Sequence, residues 1–213
     1  MIKIVYQDKR VLLALKPAGV LADDSPGGMP ELIRQQLGDK TASIRPVHRL
    51  DAAVSGLMLF ARSRMADSIL SKQVEDRTIK KYYLAVVHGR FEHGFGRLED
   101  LLYYDREKRM STVKTAPGKD VRMAELNYEV LEEEDDFSLV KIELLTGRTH
   151  QIRVQFASRG HPIYADKKYG KAEEGQIALF SSFLSFVHPE SGEYMGFEAL
   201  PEKTCPWDRF SCI

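Results

Sequence analysis

Three short segments of this chain combine residue types whose spacing could support chemistry. The first is His48-Arg49-Leu50-Asp51-Ala52-Ala53-Val54-Ser55-Gly56, a carboxylate in a loop beside an arginine, with a Ser-Gly turn leading into an apolar run. A carboxylate there can act as nucleophile, general base or helix N-cap. Arg49 would hold it ionised at neutral pH. A structural ion pair beside a turn has the same pattern, and residue types alone favour that plainer reading. The second segment is Thr146-Gly147-Arg148-Thr149-His150-Gln151-Ile152-Arg153. Gly147 permits a sharp turn, and Thr149 is expected to cap a helix of about ten residues ending at Gly160. Helical spacing puts His150 and Arg153 near one side of its first turn. A cation beside a helix N-terminus suits a phosphate or carboxylate, as it also suits an ordinary solvated surface. The third is Lys80-Lys81-Tyr82-Tyr83 on a strand, where alternation turns the two rings to opposite faces. One ring could stack on an unpaired base, or both could serve a core and its edge.

These segments need elements to hold them. Ile2–Tyr6 and Val11–Leu15 read as strands joined by a turn at Gln7–Arg10. Pro30–Leu37 reads as a helix with Gly38 just past its end. Gly56–Ala61 is a candidate buried strand, and Ser63 is expected to cap a helix whose apolar positions Met65, Ile69, Leu70 and Val74 are compatible with one face. Thr78–Val87 is a strand. From Gly94 to Val121 the pattern weakens and suggests hairpins or a mobile insert. Glu125–Leu131 and Phe137–Leu145 flank an acidic turn, Glu132–Asp136. Ile177–Val187 and Tyr194–Ala199 are the last strands. Mixed strand spacing without repeated βαβ order predicts an α+β fold, with a largely antiparallel mixed sheet and flanking helices.

The 213 residues, 43% hydrophobic and 29% charged, can bury a sizeable core and do not describe a disordered chain. One domain over residues 1–213 is expected, or two lobes sharing one sheet. No apolar run approaches the roughly 18 residues that span a membrane. Met1–Arg10 has no secretory apolar stretch. Cys205 and Cys212 form no disulfide framework, so a reducing cytoplasm is expected. Net charge is zero, from 31 basic and 31 acidic residues. A nucleic-acid binder usually shows a basic footprint, and here it would have to be local. Arg106–Arg122 holds six Lys or Arg against two acids, and Arg148–Lys171 holds six against one. Glu129–Glu143 holds seven acids and one lysine.

The three segments, in their order, resemble the RluA-type family of RNA pseudouridine synthases. The resemblance rests on His48-Arg49-Leu50-Asp51 with Ser55-Gly56, on Lys81-Tyr82-Tyr83-Leu84-Ala85 with Gly89, and on Gly147 to Arg153. Lys16-Pro17-Ala18-Gly19 and His161-Pro162-Ile163 with Asp166 and Tyr169-Gly170 extend it over residues 16–170. It implies a catalytic Asp51, an active-site Tyr83, aligned through Tyr83, Ala85, Val87 and Gly89, and an Arg153 that pairs with the aspartate. It implies RNA contacts from His48, Arg49, Lys81, Arg148, His150 and Gln151, with Arg49 able to fill the space left by an extruded base. It also implies the family's catalytic fold, with the site in a cleft across the sheet. Its partner would be a structured transfer or ribosomal RNA stem-loop, bound by a monomer without membrane, cofactor or metal. The chain resembles short members that lack a separate N-terminal RNA-binding domain. It departs from the family at Val54, where Thr is usual, at Gln155, where His is common, and at Ala165, where Gly is usual.

The implied reaction breaks the bond from ribose to uracil nitrogen, turns the base and rejoins it through carbon. It needs no redox partner. Asp51 can attack the ribose or the ring, or remove a ribose proton. The base must first leave the stack. Two other classes use overlapping residues. An N-glycosidic hydrolase would admit water and release free uracil, and an RNA-folding module would need no intact site. A metal site on Cys205, Cys212 and His188 has loose spacing.

Overall fold

The computed structural model describes residues 1–171 and 173–213. In chain order its elements are β1 (Lys3–Gln7), β2 (Val11–Lys16), α1 (Met29–Leu37), β3 (Arg45–Pro46), β4 (Ser55–Ala61), α2 (Arg64–Glu75), β5 (Lys80–His88), β6 (Phe95–Asp105), β7 (Met110–Lys114), β8 (Val121–Glu134), β9 (Phe137–Leu144), α3 (Gln151–Ala157), β10 (Leu179–Val187) and β11 (Tyr194–Glu198). Among the described pairings β4 with β10 is parallel and the others are antiparallel, so the fold is α+β with a mostly antiparallel mixed arrangement. The chain divides into two compact units: Met1–Lys81 with Phe180–Leu200, and Tyr82–Leu179 with Pro201–Ile213.

The first unit is built on the continuous apolar runs of β2 and β4. Both strands are buried on both faces. Alternation sends Leu13, Leu57 and Leu59 to a core with Leu70 of α2 and Leu184 and Phe186 of β10. Leu12, Ala14, Met58 and Phe60 go to the other side, against Met29 and Ile33 of α1. Gly38 closes α1 in a left-handed conformation, φ 68°, as its type predicts. Ser63 caps α2 by accepting the Ala66 N–H at 3.1 Å. The buried face of α2 departs from expectation. Ala66 and Leu70 are buried, whereas Met65 and Ile69 stay exposed. Small Ala66 allows close approach to the sheet, and the larger side chains lie one position round the helix.

The second unit is an antiparallel series β5-β9-β8-β6-β7. The weakly patterned region is an ordered hairpin, β6 with β7, and β6 also pairs with β8. The acidic turn is shorter than expected. Strand β8 continues to Glu134, and only Asp135-Asp136 turn. Backbone donors stabilise these carboxylates within the strand: Ser211 N–H reaches Glu132 at 2.9 Å, and Phe91 N–H reaches Glu133 at 3.0 Å.

Helix α3 also departs from expectation. It has seven residues, starts at Gln151, and takes no side-chain cap from Thr149. His150 precedes it with φ 55°. The turn is organised by the Gln151 side chain instead. Its Oε1 accepts from Thr146 Oγ1 at 2.8 Å and from the Arg148 N–H at 3.0 Å, and its Nε2 donates to the Glu125 carbonyl at 3.0 Å.

Candidate active site

The loop carrying Asp51 is fixed at both ends within the first unit. On the approach, β3 pairs with β4, and the Val47 N–H donates to the Leu59 carbonyl at 3.0 Å. The next rung is closed by a side chain: the Leu59 N–H donates to His48 Nε2 at 3.1 Å. An accepting Nε2 is unprotonated, so the imidazole proton lies on Nδ1. Burial pushes the His48 pKa down to about 3, with the Lys81 charge adding to the effect, so the ring is neutral at physiological pH. Because the imidazole stands in for a backbone acceptor, the main chain can leave the ladder. It runs through exposed Arg49 and buried Leu50 to half-buried Asp51.

Beyond Asp51, the Val54 N–H returns to the Asp51 carbonyl at 3.0 Å, and the Ala52 carbonyl accepts from the Gly19 N–H at 2.8 Å. That carbonyl also accepts from Lys16 Nζ at 2.9 Å. Lys16 is 1% exposed and donates further to the carbonyls of Pro17, at 2.9 Å, and Val20, at 2.7 Å. Burial pushes its pKa down to about 8, opposed by the charge of Asp51. Next comes Gly56, with φ 119°, where β4 meets β10. A Cβ there would stand 2.4 Å from the Ser181 backbone, so Gly56 is needed for close approach.

The other two proposed catalytic residues belong to the second unit. Tyr83 lies on β5 opposite Ile142 and is buried. Tyr82 takes the other face, where its hydroxyl donates to Glu143 at 3.3 Å. Arg153 is buried on α3 and forks onto Asp166: Nε to Oδ2 at 2.8 Å, Nη2 to Oδ1 at 2.7 Å. Burial alone would raise the Asp166 carboxyl, but the hydrogen bonds and charge of Arg153 outweigh it and hold it low. Ala165, where the family usually has Gly, sits at φ 55°, the left-handed region that explains the usual residue.

The remaining sequence candidates fall into different settings. Arg49 is exposed, and its charge reaches Asp23. Lys81 is half-buried, with its ammonium pushed down by desolvation. Arg148 is exposed, with Nε donating to the Met123 carbonyl at 3.0 Å. His150 Nδ1 lies 2.8 Å from the Tyr169 hydroxyl. Gln151 is only 3% exposed, and its amide is engaged on the turn rather than turned outward. Lys16 and Asp166 lie in the matching blocks, but their roles are not legible there. The available signal was a lysine and an aspartate next to special backbone, at Pro17-Ala18-Gly19 and Ala165. Among the described residues no cluster of His, Cys, Asp or Glu is arranged to hold a metal, and no helix is long and apolar enough to cross a membrane.

Comparison with known proteins settles the family. A family model described as RNA pseudouridylate synthase matches residues 10–158. The chain belongs to the RNA pseudouridine synthases. It is 38% identical to the uncharacterised RNA pseudouridine synthase YlyB of Bacillus subtilis, covering 93% of this chain and 69% of the relative. It is 34% identical to the dual-specificity RNA pseudouridine synthase RluA of Haemophilus influenzae, covering 92% of this chain and 91% of the relative. In fold it is similar to human RNA pseudouridylate synthase domain containing 1, with a TM-score of 0.81 at 22% identity, over 95% of this chain and 84% of that one. This RNA pseudouridine synthase is thus an RluA-type isomerase that acts on RNA.

Proposed function

We propose that the chain isomerises specific uridines in transfer or ribosomal RNA, with Asp51 as the group that acts on the flipped nucleotide. The observation that carries this reading is the Asp51 loop. A half-exposed carboxylate stands between two buried anchors, His48 on one side and Lys16 on the other. Pinning a reactive group on both sides limits the motion that would otherwise have to be frozen in the transition state. In this reading residues 1–213 act as one catalytic domain, with Tyr83 and Arg153 serving the same reaction as Asp51. Tyr83 stacks on the extruded base, and Arg153 is the basic residue that the family resemblance pairs with the catalytic aspartate. Arg49 fills the gap in the RNA stack.

The bond from ribose C1′ to uracil N1 breaks and a bond from C1′ to C5 forms. The proton on C5 is lost, and N1 gains one, so the product has the same atoms as the substrate. No cofactor is needed. RNA contacts come from exposed basic residues, Arg49 and Arg148 among them, and the enzyme works as a cytoplasmic monomer. The Haemophilus influenzae relative carries the name dual-specificity, and by that likeness more than one target is expected here.

The test is pseudouridine mapping of total RNA from cells with and without the gene. Loss of pseudouridine at one or more positions in transfer or ribosomal RNA is the expected result. An unchanged map, or release of free uracil by the purified protein, would count against it.

A further inference from the structure

Two basic stretches far apart in sequence meet in the second unit. The turn of the β6–β7 hairpin exposes Arg106, Lys108 and Arg109, and the loop after α3 exposes Lys167, Lys168 and Lys171. Lys168 Nζ donates to the Arg109 carbonyl at 2.7 Å. One residue later, Tyr169 makes a second junction. Strand β7 ends the strand series of its unit. Its Ser111 N–H donates to the Tyr169 hydroxyl at 2.6 Å. An edge N–H usually goes to water, and here a side chain takes it.

The same hydroxyl lies 2.8 Å from His150 Nδ1. Burial pushes the Tyr169 phenol up, so it keeps its proton at neutral pH and can donate to that nitrogen while accepting from Ser111. The ring packs against Leu102, Ala124 and Val154. It also stands 5.3 Å from the Arg153 guanidinium, within cation–π range. Asp166 completes the circuit. The carboxylate that grips Arg153 also accepts the Lys168 N–H at 2.9 Å, which shapes the turn carrying Lys168 and Tyr169. Hairpin, basic loop, start of α3 and Arg153 therefore share one tyrosine.

We infer that Tyr169 is a positioning residue through which phosphate contacts at the basic hairpin set the place of the Arg153 guanidinium. The inference rests on the proposed role of Arg153 and adds a coupling that role does not require. Phosphates bound by Arg106, Lys108 and Arg109 hold the hairpin. Ser111 then holds the phenol, and the ring holds the guanidinium. RNA engagement and the reacting geometry become linked through one hydroxyl.

The test uses RNA labelled with tritium at uracil C5, taken from cells lacking the gene, since the C5 hydrogen is released as the new bond forms. Single-turnover reactions with enzyme in excess give a saturating rate and a half-saturating enzyme concentration. Tyr169→Phe keeps the packed ring and removes the joint. Its saturating rate is expected to fall about tenfold, the worth of one to two hydrogen bonds. The hairpin triple variant Arg106→Ala/Lys108→Ala/Arg109→Ala should raise half-saturation and lower the saturating rate in the wild-type background. In the Tyr169→Phe background it should raise half-saturation only. A purely structural role for Tyr169 would not abolish the rate effect of the hairpin. Should Tyr169→Phe fail to fold, Ser111→Pro breaks the same bond from the strand edge, and the same split is expected.

Equal rate losses from the triple variant in both backgrounds would overturn the inference, as would an unchanged rate in Tyr169→Phe. Arg153→Ala separates the two claims. If it slows the saturating rate while Tyr169→Phe does not, the coupling fails and the role of Arg153 stands. If Arg153→Ala leaves the rate unchanged, the role of Arg153 fails and the coupling fails with it.

Discussion

Each unit buries a cation in its part of the proposed site, and the two are stabilised by opposite means. Lys16 in the first unit meets three backbone carbonyls, while Arg153 in the second meets the carboxylate of Asp166 through two hydrogen bonds. Carbonyl dipoles fix the position of an ammonium without cancelling its charge, so burial still pushes the Lys16 pKa down. A carboxylate cancels charge and fixes a plane as well. The contrast suggests different services. Lys16 stitches loop backbone together within reach of the Asp51 charge, whereas Arg153 is held rigidly in one plane by Asp166.

The strongest way to break that comparison is to remove the compensating carboxylate. Asp166→Asn keeps the shape and leaves a buried guanidinium short of its counter-charge, so urea unfolding should show a loss of about 3–5 kcal/mol. A loss below about 1 kcal/mol would mean that the Asp166 pairing contributes little to holding Arg153.

Next in size is an acid effect at the other anchor. His48 binds its proton less tightly folded, at about 3, than unfolded, at its ordinary value near 6.5. Between those values the unfolded chain holds more protons, so stability present at neutral pH is lost as pH falls. At pH 4 the loss from this residue should be roughly 3 kcal/mol. His48→Gln offers an acceptor near the Nε2 position and does not titrate, so its stability profile should be flatter below pH 6. An identical acid limb in wild type and variant would show that the buried imidazole does not govern it.

Lys16 acts on the alkaline side. Its folded pKa of about 8 lies below the ordinary 10.5. Over that window the unfolded chain again holds more protons, and stability should rise with pH, by about 2–3 kcal/mol near pH 10. Lys16→Met removes the titration and should lose this rise, while orphaning three carbonyls at a cost of about 1–3 kcal/mol. Asp166→Asn keeps Lys16, so it should retain the alkaline rise of the wild type, and the comparison sharpens if only Lys16→Met loses it.

Much of the frame was legible in the residues. Strands β2 and β4 were readable from continuous apolar runs, α1 from Pro30 and Gly38, and α2 from its Ser63 cap. Failures came where a side chain did a backbone's work or where size outweighed hydropathy. Gln151 organises the turn that Thr149 was expected to cap, and His48 replaces a ladder carbonyl. Local spacing signals neither. Ala66 faces the core in place of Met65 because a small residue lets helix and sheet approach. The β6–β7 hairpin was weakly patterned because its turn is basic and, among the described residues, one edge of β7 has no strand partner. Asp51, Tyr83 and Arg153 were named from matching blocks. The roles of Lys16 and Asp166 were not legible, because they act through contacts 36 and 13 positions away.

The central claim is that Asp51, on its doubly anchored loop, performs the isomerisation. The most direct measurement is C5 tritium release from labelled RNA of gene-deficient cells, by purified wild type and by Asp51→Asn, with folding checked by thermal denaturation. A variant that folds and binds RNA but reacts more than about 10³-fold slower is the predicted result. A folded Asp51→Asn enzyme that releases tritium within about tenfold of the wild-type rate would contradict it.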